Sequence, residues 1–173
     1  MSSSRVMKKC FWTSSVIFLF VNCTKVTEDG DVMSNEDFVL QASVVNSAEM
    51  DIGSLANTRG INEGVKAFAQ SVAAYHEAAQ SQLRNLAIGL NLLTADSLDA
   101  QHIILRNQLL NLAGRAFDSL YIHTQVQDYE QATKLFFQEV ISGQSSQLRN
   151  YSASILPQLE AYLHQADSLA AEY

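Results

Sequence analysis

The chain has 173 residues and a net charge of −7, with 47% hydrophobic residues and a single proline. This composition is typical of a folded helical domain and excludes a disordered tail. Loss of the three basic residues at the N-terminus with a signal segment would lower the net charge from −7 to −10. A surface of that charge repels phosphate backbones and excludes nucleic acid as a partner.

Residues 1–22 have the features of a lipoprotein signal peptide. Arg5, Lys8 and Lys9 form a positive end, and an apolar run follows over 11–21. That run is too short to span a membrane as a helix, which takes roughly 20 apolar residues. If Cys10 is removed with the signal, Cys23 remains as a lone thiol unless a lipid modifies it. We predict lipidation of Cys23 and export to the bacterial periplasm or the outer membrane. An ordinary signal peptide and an uncleaved anchor are the alternatives.

The mature chain is predicted to be a flexible polar tether over 23–34 followed by one helical domain over 35–173. Asn35 is a candidate N-cap, and two acidic residues follow it in the first turn, where the helix dipole favours them. Glycines that separate the periodic stretches mark the helix ends. The predicted helices are 35–58, 62–88, 97–113, 115–142 and 146–172.

Four of these helices are long and amphipathic, because apolar residues recur along each at steps of three and four. This pattern predicts an all-α protein, an up-and-down four-helix bundle. The shorter helix 97–113 lies in the connection between the second and third long helices. Pro157 lacks an amide N–H and is expected to kink or restart the last helix.

The apolar face of each long helix is interrupted near its middle by Glu49, His76, Tyr129 or Tyr162. We expect these four side chains to meet in one central layer, with Asp118 nearer an end of the bundle. A buried carboxylate needs a partner, and protonated His76 or a phenolic hydroxyl is the nearest candidate for Glu49. The layer is predicted to fix the helix register through hydrogen bonds.

The sequence carries no motif that identifies an enzyme, and we predict no catalytic activity and no cofactor. The Glu-x-x-His motif of di-iron bundles does not occur in it. An alternative is a ferritin-like metal-binding or redox protein, in which Glu49 and His76 hold one iron or other divalent metal with Tyr129 or Tyr162 as phenolate. A third possibility is a small-ligand carrier with a pocket in the bundle core.

Four segments of the chain resemble the helices of an exported bacterial family, the domain of unknown function 4142. They are 38–56, 65–76, 117–121 and 156–166. The resemblance implies a ferritin-like helical bundle and export, and it implies no reaction. Family members usually carry three histidines, one at the position of His76 and two at the positions of Tyr129 and Tyr162. Because two of them are tyrosines here, the departure favours a structural layer over a metal site. We predict a non-enzymatic, lipid-anchored interaction or stress-associated module of the cell envelope. The identity of its protein partner and its oligomeric state stay open.

Overall fold

A computed structural model describes residues 32–173, and they form five helices with no strand among them. The helices are α1 (Asn35–Arg59), α2 (Glu63–Gly89), α3 (Ala100–Leu110), α4 (Gly114–Ser142) and α5 (Ser146–Ala170). The predicted all-α bundle, with four long helices and a short one in the second connection, is confirmed. The predicted signal segment 1–22, Cys23 and most of the tether lie outside the described residues.

Helix ends follow the capping residues closely. The side chains of Ser34, Asn62, Asp99 and Ser145 accept hydrogen bonds from backbone N–H groups in the first turns of α1, α2, α3 and α5. The N-cap of α1 is therefore Ser34, whereas the sequence pattern indicates Asn35. Because Asp99 caps α3, this helix begins three residues later than predicted.

The last helix continues through Pro157 without restarting. α5 is unbroken from Ser146 to Ala170, so the restart expected at Pro157 is wrong. Ile155 and Leu159 lie on either side of the proline and are buried in the core. Their burial holds this segment helical although one backbone hydrogen bond is missing.

The four long helices form two hairpins, α1–α2 and α4–α5, that pack side by side with all neighbouring helices antiparallel. Phe38 at the start of α1 packs on Phe136 near the end of α4, with 5.5 Å between ring centroids. The turn before α2 reaches the start of the diagonally opposite α4, where Asp118 accepts hydrogen bonds from the amides of Ile61 and Asn62. Because α2 and α4 run parallel, the chain must return along the bundle between them, a single crossover of the kind ferritin-like bundles have.

The crossover runs beside α1 from its middle to its C-terminal end. Ser47 Oγ of α1 donates a hydrogen bond to the Ala95 carbonyl at 3.3 Å. Further along, Arg106 Nε of α3 lies 2.7 Å from Asp51 Oδ2. Arg59 then donates to the carbonyls of residues 110 and 112 after the last turn of α3. The crossover therefore follows α1, and its helix α3 also packs against α4.

The two hairpins are held together by equivalent contacts at opposite ends of the bundle. Each turn begins with a glycine of nearly identical conformation, Gly60 (φ −58°, ψ 149°) and Gly143 (φ −57°, ψ 147°). Asp118 of the second hairpin holds the first turn, because its Oδ2 accepts a hydrogen bond from the Asn62 amide at 2.9 Å. At the second turn Asn35 Oδ1 accepts from the Ser145 amide at 3.1 Å. Asp118, predicted to lie nearer an end of the bundle, thus anchors a turn there.

Candidate functional site

The centre of the bundle contains a histidine that is hydrogen-bonded on both ring nitrogens. His76 is fully buried. Its Nδ1 lies 2.8 Å from Asn46 Oδ1, and its Nε2 lies 3.1 Å from the Tyr129 hydroxyl. Burial lowers the pKa of His76 to about 3, so the ring is neutral at physiological pH. The predicted contact of His76 with Tyr129 is present, whereas Asn46 was not anticipated.

A chain of hydrogen bonds determines the direction of each bond to His76. The Ala95 carbonyl can only accept, so the Gln80 amide nitrogen donates to it at 3.1 Å. Gln80 Oε1 therefore accepts from Asn46 Nδ2, also at 3.1 Å. Asn46 Oδ1 then accepts from His76 Nδ1–H, and the lone pair on Nε2 faces the Tyr129 hydroxyl. The phenol donates to the imidazole.

Tyr162 joins this layer through its ring but not through its hydroxyl. The rings of Tyr129 and Tyr162 have centroids 5.5 Å apart. The Tyr162 hydroxyl donates to the Ser71 carbonyl at 3.0 Å and lies 2.9 Å from Ser71 Oγ. It therefore points away from His76 and toward α2.

Glu49 occupies a separate site and does not pair with His76. Burial raises the pKa of Glu49 to about 8, and the neighbouring Asp128 carboxyl adds to the rise. The nearby Gln125 side chain lowers the pKa of Glu49 by a smaller amount. Gln125 Nε2 and Glu49 Oε2 nevertheless both lack a hydrogen bond of good geometry. Of the two partners predicted for Glu49, protonated His76 or a phenolic hydroxyl, His76 is excluded, because Asn46, one turn earlier on α1, occupies the position facing the imidazole.

The four residues proposed as a single-metal site do not fit a metal ion in this arrangement. Both ring nitrogens of His76 are already engaged, and Glu49 is a protonated carboxyl below pH 8. Burial also raises the pKa of Tyr129 well above 10, which disfavours a phenolate ligand. Within residues 32–173, no cluster of three or more His, Cys, Asp or Glu side chains is placed to hold a metal ion.

A groove of about 350 Å³ lies between α1, α4 and the crossover. Its walls are mainly apolar and include Leu40, Val44 and Leu135. Its polar end is formed by Asp99 and His102, whose Oδ1 and Nδ1 atoms lie 2.7 Å apart. The other ring nitrogen, His102 Nε2, lies 4.0 Å from Oδ2 of the largely buried Asp128. This Asp128 oxygen has no hydrogen-bond partner.

A family model that matches most of the chain identifies its family. The family model described as Domain of unknown function (DUF4142) matches residues 22–169. The chain belongs to the DUF4142 family. No curated protein matches its sequence.

Two solved structures share the fold of this DUF4142 chain. One is a DUF305 protein from Streptomyces coelicolor, assigned as secreted, with 14% identity, a TM-score of 0.67 and coverage of 80% of this chain and 93% of that chain. The other is a conserved hypothetical protein from Mycobacterium tuberculosis, with 9% identity, a TM-score of 0.59 and coverage of 79% and 89%. At these identities the similarity shows the helical fold alone.

Four residues of the layer and the groove in this DUF4142 chain are not predicted by the sequence pattern: Asn46, Gln80, Asp128 and His102. Asn46 and Gln80 lie beside the predicted apolar faces, three and four residues from Glu49 and His76 respectively, and that spacing was the available signal. His102 lies off the predicted apolar faces, yet its side chain is only 13% exposed. No helix of the described part of the chain is long and apolar enough to cross a membrane.

Proposed function

We propose that this DUF4142 protein is an exported, lipid-anchored and non-enzymatic module of the bacterial envelope that acts by binding. Export is supported by the signal-like segment 1–22 and by the assignment of the DUF305 neighbour as a secreted protein. Anchoring is supported by the position of Cys23 directly after the apolar run. In this proposal, the hydrogen-bonded layer around His76 fixes the register of the helices.

The groove between α1, α4 and the crossover is the observation that carries the binding role. Its volume of about 350 Å³ lies within the usual range of small-molecule sites. Apolar walls would bury the body of a ligand, and the polar groups at one end would orient it. The ligand is therefore a small amphipathic molecule.

Charge at the polar end indicates the sign of the ligand's head group. Two carboxyl groups, those of Asp99 and Asp128, lie beside the His102 imidazole, and the groove walls carry no Lys or Arg side chain. Burial raises the pKa of Asp128 to about 6, so this carboxyl is ionised at neutral pH. An aliphatic amine satisfies both the apolar walls and the acidic end.

Lipid anchoring is tested by labelling the full chain in a bacterial host fed an alkyne-bearing fatty acid. We expect a labelled protein in the membrane fraction. Cys23→Ser should lose the label and move to the soluble fraction, whereas Cys10→Ser should behave as wild type because the signal is removed. Label that persists in Cys23→Ser would contradict lipidation at this residue.

Ligand binding is tested by titrating the purified protein with hexylamine and following backbone amide shifts. We expect shifts around Leu40, Val44 and Leu135, with affinity rising from pH 5 to pH 7 as Asp128 ionises. Val44→Trp should fill the groove and abolish binding, and Gln82→Trp on the exposed face of α2 should not. Equal binding of hexanol or hexanoate would contradict the preference for a positive head group.

A further inference from the structure

Tyr129 and His76 have the geometry of a phenol coupled to its own proton acceptor. The Tyr129 hydroxyl is fully enclosed and donates to His76 Nε2 at 3.1 Å. The direction of this bond follows from the hydrogen-bond chain that ends at the Ala95 carbonyl. The imidazole is neutral, so its lone pair is available to take a proton.

Such a pair changes what a tyrosine does when it loses an electron. A phenol that is oxidised by one electron becomes a strong acid and releases its hydroxyl proton. Here the proton has one acceptor at hydrogen-bond distance, His76 Nε2, and the His76 Nδ1–H bond to Asn46 stabilises the resulting imidazolium. The products are a neutral tyrosyl radical and a protonated histidine, and the electron passes to the oxidant.

Neighbouring aromatic rings connect this pair to the protein surface. The centroid of the Tyr129 ring is 5.5 Å from that of Tyr162, which in turn is 5.7 Å from that of Tyr75. Tyr75 is half-buried and therefore reaches the outside of the bundle. Three tyrosines thus form a continuous series from solvent to the buried phenol that faces a base.

We propose that Tyr129 and His76 form a one-electron redox site, supplied from the surface through Tyr75 and Tyr162. The co-reactant is a strong one-electron oxidant, such as a small oxidising radical, that reacts at Tyr75. An electron first passes from Tyr162 to oxidised Tyr75, which takes back its hydroxyl proton from solvent. An electron then passes from Tyr129 to oxidised Tyr162, whose hydroxyl proton has stayed in its hydrogen bonds to Ser71. The transfer stops at Tyr129, because proton transfer to His76 Nε2 stabilises the neutral radical there. The site is independent of the ligand groove and of lipid anchoring.

The experiment is flash photolysis of the purified protein with tris(bipyridine)ruthenium(II) and persulfate, followed by electron paramagnetic resonance of rapidly frozen samples. We expect a long-lived neutral tyrosyl radical whose formation is slower in deuterated solvent, because a proton moves with the electron. Tyr129→Phe should shorten the radical lifetime by about tenfold, the factor equivalent to one buried hydrogen bond. Tyr173→Phe, which removes a tyrosine at the far end of the bundle, should leave the lifetime unchanged.

Two further variants separate the redox role from a structural one. His76→Gln retains a polar group but no base, and it should abolish the solvent isotope effect on radical formation. Tyr162→Phe keeps the ring while removing the oxidisable phenol, and it should slow formation of the Tyr129 radical with His76 untouched. Circular dichroism confirms that each variant is folded. Equal radical lifetimes in wild type and folded Tyr129→Phe would overturn the proposal, as would an unchanged isotope effect in folded His76→Gln.

Discussion

Glu49→Gln should stabilise the protein at pH 8 by roughly 3–4 kcal/mol, since glutamine removes the cost of ionising a buried carboxyl. The pKa of Glu49 is raised from 4.5 to about 8 by burial first and by Asp128 second. The folded state therefore holds a proton that the unfolded state releases. In wild type, the contribution of Glu49 to stability is fully present below pH 4.5, and it is lost as the pH rises toward 8.

The measurement is urea denaturation at intervals between pH 5 and pH 9. Between pH 7 and pH 9, above the titrations of His76 and Asp128, wild type should lose stability and Glu49→Gln should be nearly flat. Glu77→Gln on the exposed face of α2 is the matched control and should follow the wild-type curve. A Glu49→Gln curve that falls as steeply as wild type would show that Glu49 is ionised or solvated in the folded protein.

His76→Leu should destabilise the protein by roughly 3–5 kcal/mol at pH 7, because two buried polar groups lose their partner. Leucine fills much of the imidazole volume but leaves Asn46 Oδ1 without its donor and the Tyr129 hydroxyl without its acceptor. The acid side of the stability profile should change as well. Burial lowers the pKa of His76 to about 3, so in wild type this group's contribution to stability is lost as the pH falls from 6.5 toward 3.

Denaturant unfolding at pH 7 measures the first effect, and the slope of stability against pH between 6.5 and 4 measures the second. The exposed His164 provides the control, and His164→Leu should change stability by no more than about 0.5 kcal/mol. Tyr129→Phe should show part of the loss, since it removes one of the two bonds. A His76→Leu protein as stable as wild type would mean that the layer is not sealed from water.

The helices could be predicted closely because their ends depend on local chemistry. Asn62, Ser145, Gly60 and Gly143 form the same turn in both hairpins, and short side-chain-to-backbone bonds fix it. The all-α class follows from periodicity for the same reason, since spacing along one helix determines which face is buried.

The partners inside the layer could not be predicted in the same way. Asn46 and Glu49 lie three residues apart, about 60° around α1, so a small rotation of the helix decides which of them faces His76. The ring of Tyr162 likewise packs in the layer against Tyr129, whereas its hydroxyl donates to the Ser71 carbonyl. The groove depends on the path of the crossover beside α1, which is a long-range property that local spacing does not encode.

The crossover between the two hairpins also bears on the order in which the chain folds. Each hairpin closes through a three-residue turn, so its contacts are local and the entropic cost of closing it is small. Joining the hairpins requires closure of the much longer segment 90–113. Asn46 and His76 belong to the first hairpin and Tyr129 to the second. The bond between His76 and Tyr129 can therefore form only when the hairpins dock, and its formation marks docking rather than helix formation.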